Sequence, residues 1–525
     1  MKEINEKQKM RYKDNSLLIL FFLLGIGFTI RLFYFPFQIP ISLDGIDYFA
    51  YTVAINEEGY FPSGYLPLNF GWSTFLSPIF SIVGSNEMLE LMNIQRITSS
   101  IISVFTVIPI YFICRVFFKK NISILGAILF LFEPRIIENS VLGISDSLFI
   151  FFVAVTIMFV FIKKTKLIYI SFIFAAFATF TRYEGFFLIL PILISFFIRK
   201  DFQKKSILKI SFGIILFFSI IGFVNMTAYD QSNLNILSPL IAGPDYFTTI
   251  LLPDKIDEDD RVFGEHQKEN RLHVFIYNAI EGYTKYLGWI MIPVLGLFII
   301  PGLYFVKKKL TKNKIILLTF ILFISVASLY AYGRGIQETR YLYPLIPILI
   351  LFACQFFNVL AKKIDMKKIM IVTVSTMIIL SISYLEFDKI DYEYEREIYD
   401  ATIFVVNVAQ GVNTYDGNKF VRSAALENSW PELLQKNERG KMTTNIKKFS
   451  SKYFEDIEEF LKENKDGLTH LVIIENEKQL FLKDVFDNEK KYDYLEKIYD
   501  SKELGFKNQI KIFKIDYVLF ELDMK

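Results

Sequence analysis

The chain has 525 residues, 53% of them hydrophobic, 17% aromatic and only 22% charged, with a mean hydropathy of +0.37. That composition excludes a soluble globular enzyme, and 2 cysteines with 16 prolines exclude disulfide scaffolds, zinc-finger arrays and collagen-like or disordered chains. The 58 Lys and Arg nearly balance 55 Asp and Glu, a net +3 that is no footprint for a nucleic-acid partner.

Charge is unevenly placed. The last 140 positions hold 51 of the 113 Asp, Glu, Lys and Arg residues, which reads as a membrane domain over 1–385 followed by a soluble domain over 386–525. Hydrocarbon about 30 Å thick takes roughly 20 apolar residues per spanning helix. About eleven such runs follow in order: 16–34, 97–117, 122–138, 144–162, 167–181, 185–199, 207–227, 286–306, 314–332, 341–361 and 367–385. Backbone amides cannot stay unpaired in lipid, so these runs are helices. The run at 122–138 is the shortest in apolar length, because it ends at Glu133-Pro134-Arg135. The first run lacks a small-residue cleavage site and reads as a retained helix.

Lys and Arg collect in alternate connections, for example at Lys119 and Lys120, Lys163 to Lys166, Lys307 to Lys309, and Lys362 and Lys363. Basic loops mark the cytoplasmic side. The N-terminus is therefore expected inside and, with an odd helix count, the C-terminal domain outside. That domain alternates as a small α/β unit: helix 396–410, strand 418–424, helix 453–462, strand 468–474, helical patterns over 478–498, and a late strand 509–515. It has no glycine-rich phosphate loop.

The opposite face carries two long loops, 35–96 and 228–285, and three short ones, where acids and arginines meet. In the first loop Ile41-Ser42-Leu43-Asp44-Gly45-Ile46-Asp47-Tyr48 sets two carboxylates three apart. One acid can act as general base with the other as its partner; equally, Asp before an apolar run caps a helix. Tyr48, with Tyr51, Tyr60, Tyr65 and Trp72, suits sugar stacking or interfacial anchoring. Glu133 and Asp146 bracket the next outer loop, and Asp146 at the start of a helix also serves as a cap. Thr181-Arg182-Tyr183-Glu184-Gly185 lies at the same level, where Arg182 and Glu184 also suit an interfacial ion pair. The turn from Gly333 to Pro344 supplies Arg334, Glu338 and Arg340. Guanidinium forks match phosphate oxygens, while arginine at a helix end also snorkels. The 228–285 loop, with Gly243-Pro244-Asp245-Tyr246 and the acidic run 257–260, is long enough to cover a cavity as a lid.

The combination of an Asp-bearing first outer loop, "SDSLF" opening the fourth helix, "TRYEG" and "RYLYPLIP" resembles the GT-C superfamily of glycosyltransferases over about residues 16–385. It is most similar to the branch of protein O-mannosyltransferases and aminoarabinose transferases; the Trp-Trp-Asp signature of oligosaccharyltransferase catalytic subunits is absent. The resemblance implies a polytopic α-helical membrane enzyme of the GT-C fold with an extracytoplasmic α/β domain. It would use a polyprenyl-phosphate-linked sugar, dolichol- or undecaprenol-based, and an acceptor that is protein, glycan or lipid.

Carried over by position, Asp44 is the general base, Asp47 a helper in an Asp-x-x-Asp loop where the branch has Asp followed by Glu, and Arg182 and Arg340 hold the donor phosphate with Arg334 near by. Glu133, Asp146, Glu184, Glu338 and Tyr48 line the cavity. Asp44, Asp47, Glu133 and Asp146 have the oxygen chemistry of a Mg²⁺ or Mn²⁺ site, but the closer branch works without a required metal, and none is expected here. A lipid flippase or a non-catalytic lipid-binding assembly protein is the alternative.

Overall fold

A computed structural model describes residues 16–41, 44–62, 70–85, 87–162, 167–199, 204–232, 271–306, 311–387, 392–413 and 446–523. It divides into two compact units. The first comprises 1–35, 67–76 and 95–388; the second gathers 36–66, 77–94 and 389–525.

The first unit is helical. Its elements are α1 (Ser16–Phe33), the start of α3 (Gly71–Val83), most of α4 (Met88–Phe105), α5 (Val107–Phe117), α6 (Lys120–Leu131), α7 (Pro134–Val141), α8 (Asp146–Phe161) and α9 (Ile168–Thr181). After a 3₁₀ turn (Tyr183–Leu188) come α10 (Ile189–Arg199), α11 (Lys204–Ser232), α12 (Arg271–Met291), α13 (Leu295–Tyr304) and α14 (Lys312–Gly333). A second 3₁₀ turn (Thr339–Leu345) leads to α15 (Ile346–Leu360) and α16 (Met366–Phe387).

Among the described residues, 5 helical stretches are long and apolar enough to cross a membrane, and α12 with α13, bent by 111°, makes a sixth. Shorter apolar helices, including α1, α6, α8 and α9, accompany them. The chain is a multi-pass membrane protein, and its helices depart from the expected runs where the sequence supplies a reason. The 97–117 run is broken at Thr106, because Pro109 has no amide to return to Phe105. The 122–138 run is two helices, with Pro134 opening α7 at its first position. The 286–306 run is divided by the bend around Pro293.

Close approach in this unit is bought with small side chains. The 3₁₀ turn after α9 lies so near that helix that a Cβ on Gly185 would stand 2.4 Å from the Ala178 carbonyl carbon. Cys114 of α5 and Cys354 of α15 bring their sulfurs to 3.8 Å, both buried and free. Arg31 on α1 is fully buried and is held entirely by neutral acceptors: Gly27 O at 3.0 Å, Leu131 O at 3.5 Å, Ser103 Oγ at 3.0 Å and Ser140 Oγ at 3.1 Å.

The second unit contains α2 (Asp44–Glu58) and the remainders of α3 and α4. It also contains a sheet domain: α17 (Tyr392–Val408), β1 (Gly411–Asn413), β2 (Lys447–Phe449), α18 (Ile457–Glu463), β3 (His470–Ile474), α19 (Leu480–Asp487), β4 (Leu495–Asp500), β5 (Ile510–Ile515) and α20 (Tyr517–Asp523). The strand order is β2-β1-β3-β5-β4, parallel around β1 and antiparallel around β5.

Period-two alternation assigns the two faces of this sheet. Leu471, Ile473, Phe513 and Ile515 pack with α18, α19 and α20, while Val472, Ile510 and Ile512 pack with Ile398, Ala401 and Val405 of α17. The helical pattern expected over 478–498 is corrected at its end. Leu495-Glu496-Lys497-Ile498-Tyr499-Asp500 is strand β4, because pairing with β5 buries Leu495 and Tyr499, and tertiary pairing outweighs local periodicity. The expected strand 418–424 and the 243–246 and 257–260 segments of the long loop lie outside the described residues.

Candidate active site

Within the first unit the three short motifs singled out in the sequence come together around one cleft. Its base is the turn before α8. Gly143 adopts φ 74°, and its carbonyl accepts from Trp72 Nε1 at 2.9 Å and Gln95 Nε2 at 2.7 Å. This fixes the entry of α8, where Asp146 is the first helical residue and Asn139 Nδ2 donates to its Oδ2 at 3.0 Å. The N-cap Ser145 makes no side-chain cap bond.

Arg182 ends α9 in extended backbone, and Gly185 lets the following turn fold back tightly, so the guanidinium reaches across to α8. It forms an ion pair with Asp146 through one terminal nitrogen and with Glu184 at 2.9 Å through the other. Nε also donates to Glu184 at 3.3 Å. Tyr341 and Phe149 lie under the guanidinium at 5.1 and 5.8 Å. Asp146 and Arg182 side chains are 3% and 8% exposed, against 24% for Glu184. The ion-pair reading of Arg182 and Glu184 is thus realised, with Asp146 as the more deeply buried partner.

Arg340 pairs with Glu338 in the second 3₁₀ turn, whose backbone is tied down by Ser328 Oγ donating to Tyr341 O at 2.8 Å and by Tyr332 OH donating to Glu338 O at 3.0 Å. The cleft is small and partly open to its surroundings. Arg182, Glu184, Arg340 and Tyr341 supply its polar end, and Phe149, Leu188, Ile324, Ala327 and Pro344 its apolar wall. Arg334 is half-buried over Tyr330 at 5.9 Å and is not among the cleft's lining residues.

Glu133 is fully buried in the break between α6 and α7, and neither carboxylate oxygen has a hydrogen-bond partner. Asp44, Asp47 and Tyr48 belong to the second unit, in the first turn and a half of α2, with Asp44 half-buried, Asp47 exposed and Tyr48 buried. Among the described residues no three His, Cys, Asp or Glu side chains group as a metal-ligand set. Sequence reasoning missed Gln95 and Asn139 in the layer that holds the site, and named Trp72 only as a sugar-stacking or anchoring ring, not as the donor to Gly143 O. Polar side chains inside apolar helices were the available signal, since buried polar groups seek partners.

Residues 73–228 match the model of the dolichyl-phosphate-mannose-protein mannosyltransferase family. No curated protein sequence matches at a significant level. Among solved structures, the chain is similar to the oligosaccharyltransferase of Archaeoglobus fulgidus in its apo form, at 12% identity and a TM-score of 0.53, over 93% of this chain and 73% of that one. It is also similar to ArnT from Cupriavidus metallidurans bound to undecaprenyl phosphate, at 8% identity and a TM-score of 0.54, over 95% and 98%. Both folds, and the matched segment that crosses α3 to α11, give this chain the fold of the GT-C superfamily of glycosyltransferases.

Proposed function

We propose that the chain is an integral membrane glycosyltransferase that moves a sugar from a polyprenyl-phosphate donor to an extracytoplasmic acceptor with inversion. The observation that carries this reading is the cleft, in which two guanidinium groups, Arg182 and Arg340, stand beside the apolar side chains Phe149, Leu188, Ile324, Ala327 and Pro344. ArnT, whose fold is similar, is bound to undecaprenyl phosphate.

In the reaction, Asp44 takes the proton from an acceptor hydroxyl, with Asp47 as its helper. The oxygen attacks the anomeric carbon and the bond from that carbon to the phosphate oxygen breaks. The lipid phosphate leaves with an added negative charge. Guanidinium groups already in place stabilise that charge as it develops. Arg182 and Arg340 do this, Arg334 adds to the positive field, and Glu133, Asp146, Glu184, Glu338 and Tyr48 shape the cavity. No metal is required for a displacement that needs only a base and an anion clamp. The N-terminus lies in the cytoplasm, residues 1–385 form the catalytic part, and the domain over 386–525 serves acceptor recognition outside.

The test is sugar release from a panel of radiolabelled polyprenyl-phosphate sugars by wild type and Asp44→Asn, with and without EDTA. Turnover in wild type alone, unchanged by EDTA, is expected. The bend between α12 and α13 favours a second reading, a lipid-linked-glycan transporter, since broken helices line transport sites. Binding of donors without turnover, together with donor movement across vesicles, would favour it.

A further inference from the structure

The arginines assigned to the donor phosphate are already matched with carboxylates, Arg182 with Asp146 and Glu184 and Arg340 with Glu338. A different guanidinium stands without one. Arg135, the second residue of α7, is 7% exposed, yet it forms no ion pair among the described residues. Its Nε donates to Ile292 O at 3.3 Å, and its guanidinium carbon lies 5.1 Å from the ring centre of Tyr384 and 5.9 Å from that of Trp289. Its terminal nitrogens have no acceptor among the described residues.

A charge buried in this way is costly unless paired, and aromatic faces compensate only in part. What the guanidinium lacks is an anion within hydrogen-bond reach, and the planar fork held by two rings and a carbonyl is organised in advance to receive two oxygens of one group. Arg135 does not line the cleft, but it is coupled to the turn that borders it. Tyr343, in the turn that carries Arg340, lies within electrostatic reach of Arg135, Asp146 and Glu138. Glu133, two residues before Arg135, is electrostatically coupled to it, yet its carboxylate oxygens make no hydrogen bond to the guanidinium.

Building on the donor reading above, we propose that Arg135, stacked with Trp289 and Tyr384, is a further phosphate-binding arginine, engaging a phosphate monoester such as a lipid phosphate directly alongside Arg182 and Arg340. Arg182 in addition ties the start of α8 to the turn after α9. The shared chemistry is a dianionic phosphate, which a lipid or free inorganic phosphate can supply.

The test uses full-length protein in lipid nanodiscs titrated with undecaprenyl phosphate, undecaprenol and inorganic phosphate. Wild type, Arg135→Gln and Arg135→Lys are compared, each with its unfolding temperature. Trp289 emission is read alongside, and Trp289→Phe identifies its signal among the three tryptophans. Undecaprenyl phosphate is expected to change Trp289 emission in wild type and to bind about tenfold or more weakly to Arg135→Gln, the loss of a charge-assisted contact. Arg135→Lys is expected to fall between them, and undecaprenol to be indifferent to all three.

Equal affinity of wild type and both variants for undecaprenyl phosphate overturns the assignment of Arg135 and leaves the donor reading standing. So does lipid phosphate binding without a Trp289 response, a result that does not depend on how well the variants fold. Inorganic phosphate that binds and shifts Trp289 while undecaprenyl phosphate does not bind keeps the anion site and overturns the lipid donor. Absence of binding by either overturns both.

Discussion

Removing the Arg182 guanidinium is expected to destabilise the helical unit far more than an ordinary surface ion pair would. In Arg182→Met, Asp146 keeps a single donor, Asn139 Nδ2 at 3.0 Å, while its side chain remains 3% exposed. Breaking one side of a pair buried to this degree costs about 3–5 kcal/mol. Glu184, at 24% exposure, turns toward water, and its share is at most about 1 kcal/mol. For a chain of 525 residues each kcal/mol moves the unfolding midpoint by about 1 °C, so a fall of about 3–5 °C is expected.

The loss comes from an orphaned charge, so removing that charge as well should recover most of it. The double variant Asp146→Leu with Arg182→Met is expected within about 1 °C of wild type by the same conversion, while failing in donor turnover. Thermal unfolding of the purified protein in detergent, followed by thiol-reactive fluorescence at buried Cys114 and Cys354, measures both. A double variant as unstable as Arg182→Met would refute the reasoning, because the cost would then lie in the lost stacking on Tyr341 and Phe149 and not in Asp146.

Other consequences are open to measurement. Glu133→Leu removes a fully buried carboxylate whose oxygens have no hydrogen-bond partner and should raise the unfolding temperature by about 1–3 °C, corresponding to about 1–3 kcal/mol, while lowering transfer. A fall in stability would mean that Glu133 is paired in the native protein. Gly185→Ala places a methyl group against the Ala178 backbone at 2.4 Å and should cost at least about 1–3 kcal/mol, read by the same unfolding assay, because a backbone obstacle cannot swing away. In the sheet domain, burial first and then Lys514 hold the His470 imidazole below its ordinary range. The unfolded chain therefore binds the proton more readily than the folded one. The stability contributed by neutral His470 is complete above about pH 6.5 and is lost as pH falls below that value toward the folded one. Denaturant unfolding between pH 7 and 5 should show a shallower pH slope in His470→Gln, and identical slopes would count against the argument.

The apolar runs announced the membrane helices because lipid imposes one solution on the backbone, and the Glu133-Pro134 break announced itself as a short run. What the runs could not carry is how helices are divided internally. The bend at Pro293 depends on neighbours that receive α13, and α15 is such a neighbour, meeting Gly302 at its Phe352 carbonyl. Strand β4 was read as helix because Glu496 and Lys497 favour helix against the strand preference of Ile498 and Tyr499, and its partner β5 begins ten residues after it ends. In the cleft, Asp146, Arg182, Glu184 and Arg340 were visible as charges next to lipid. Which carboxylate each guanidinium would choose was not, since that depends on the depth of Asp146 and on the Gly143 carbonyl held by Trp72 and Gln95. Arg135 stood in plain view beside Pro134, but its aromatic neighbours lie more than 150 positions away.

Arg31 bears on how the protein is made. The helix that carries it leaves the ribosome before its acceptors Ser103, Leu131 and Ser140, which follow 72, 100 and 109 positions later. At about 5–20 residues per second that interval lasts roughly 5 to 20 s. Through it the guanidinium has only the Gly27 carbonyl of its own helix. Biogenesis of the helical unit is therefore a rendezvous: α1 settles at its final depth only when α4, α6 and α7 arrive, and a nascent chain that stops short of α7 presents the insertion machinery with an arginine still searching for company.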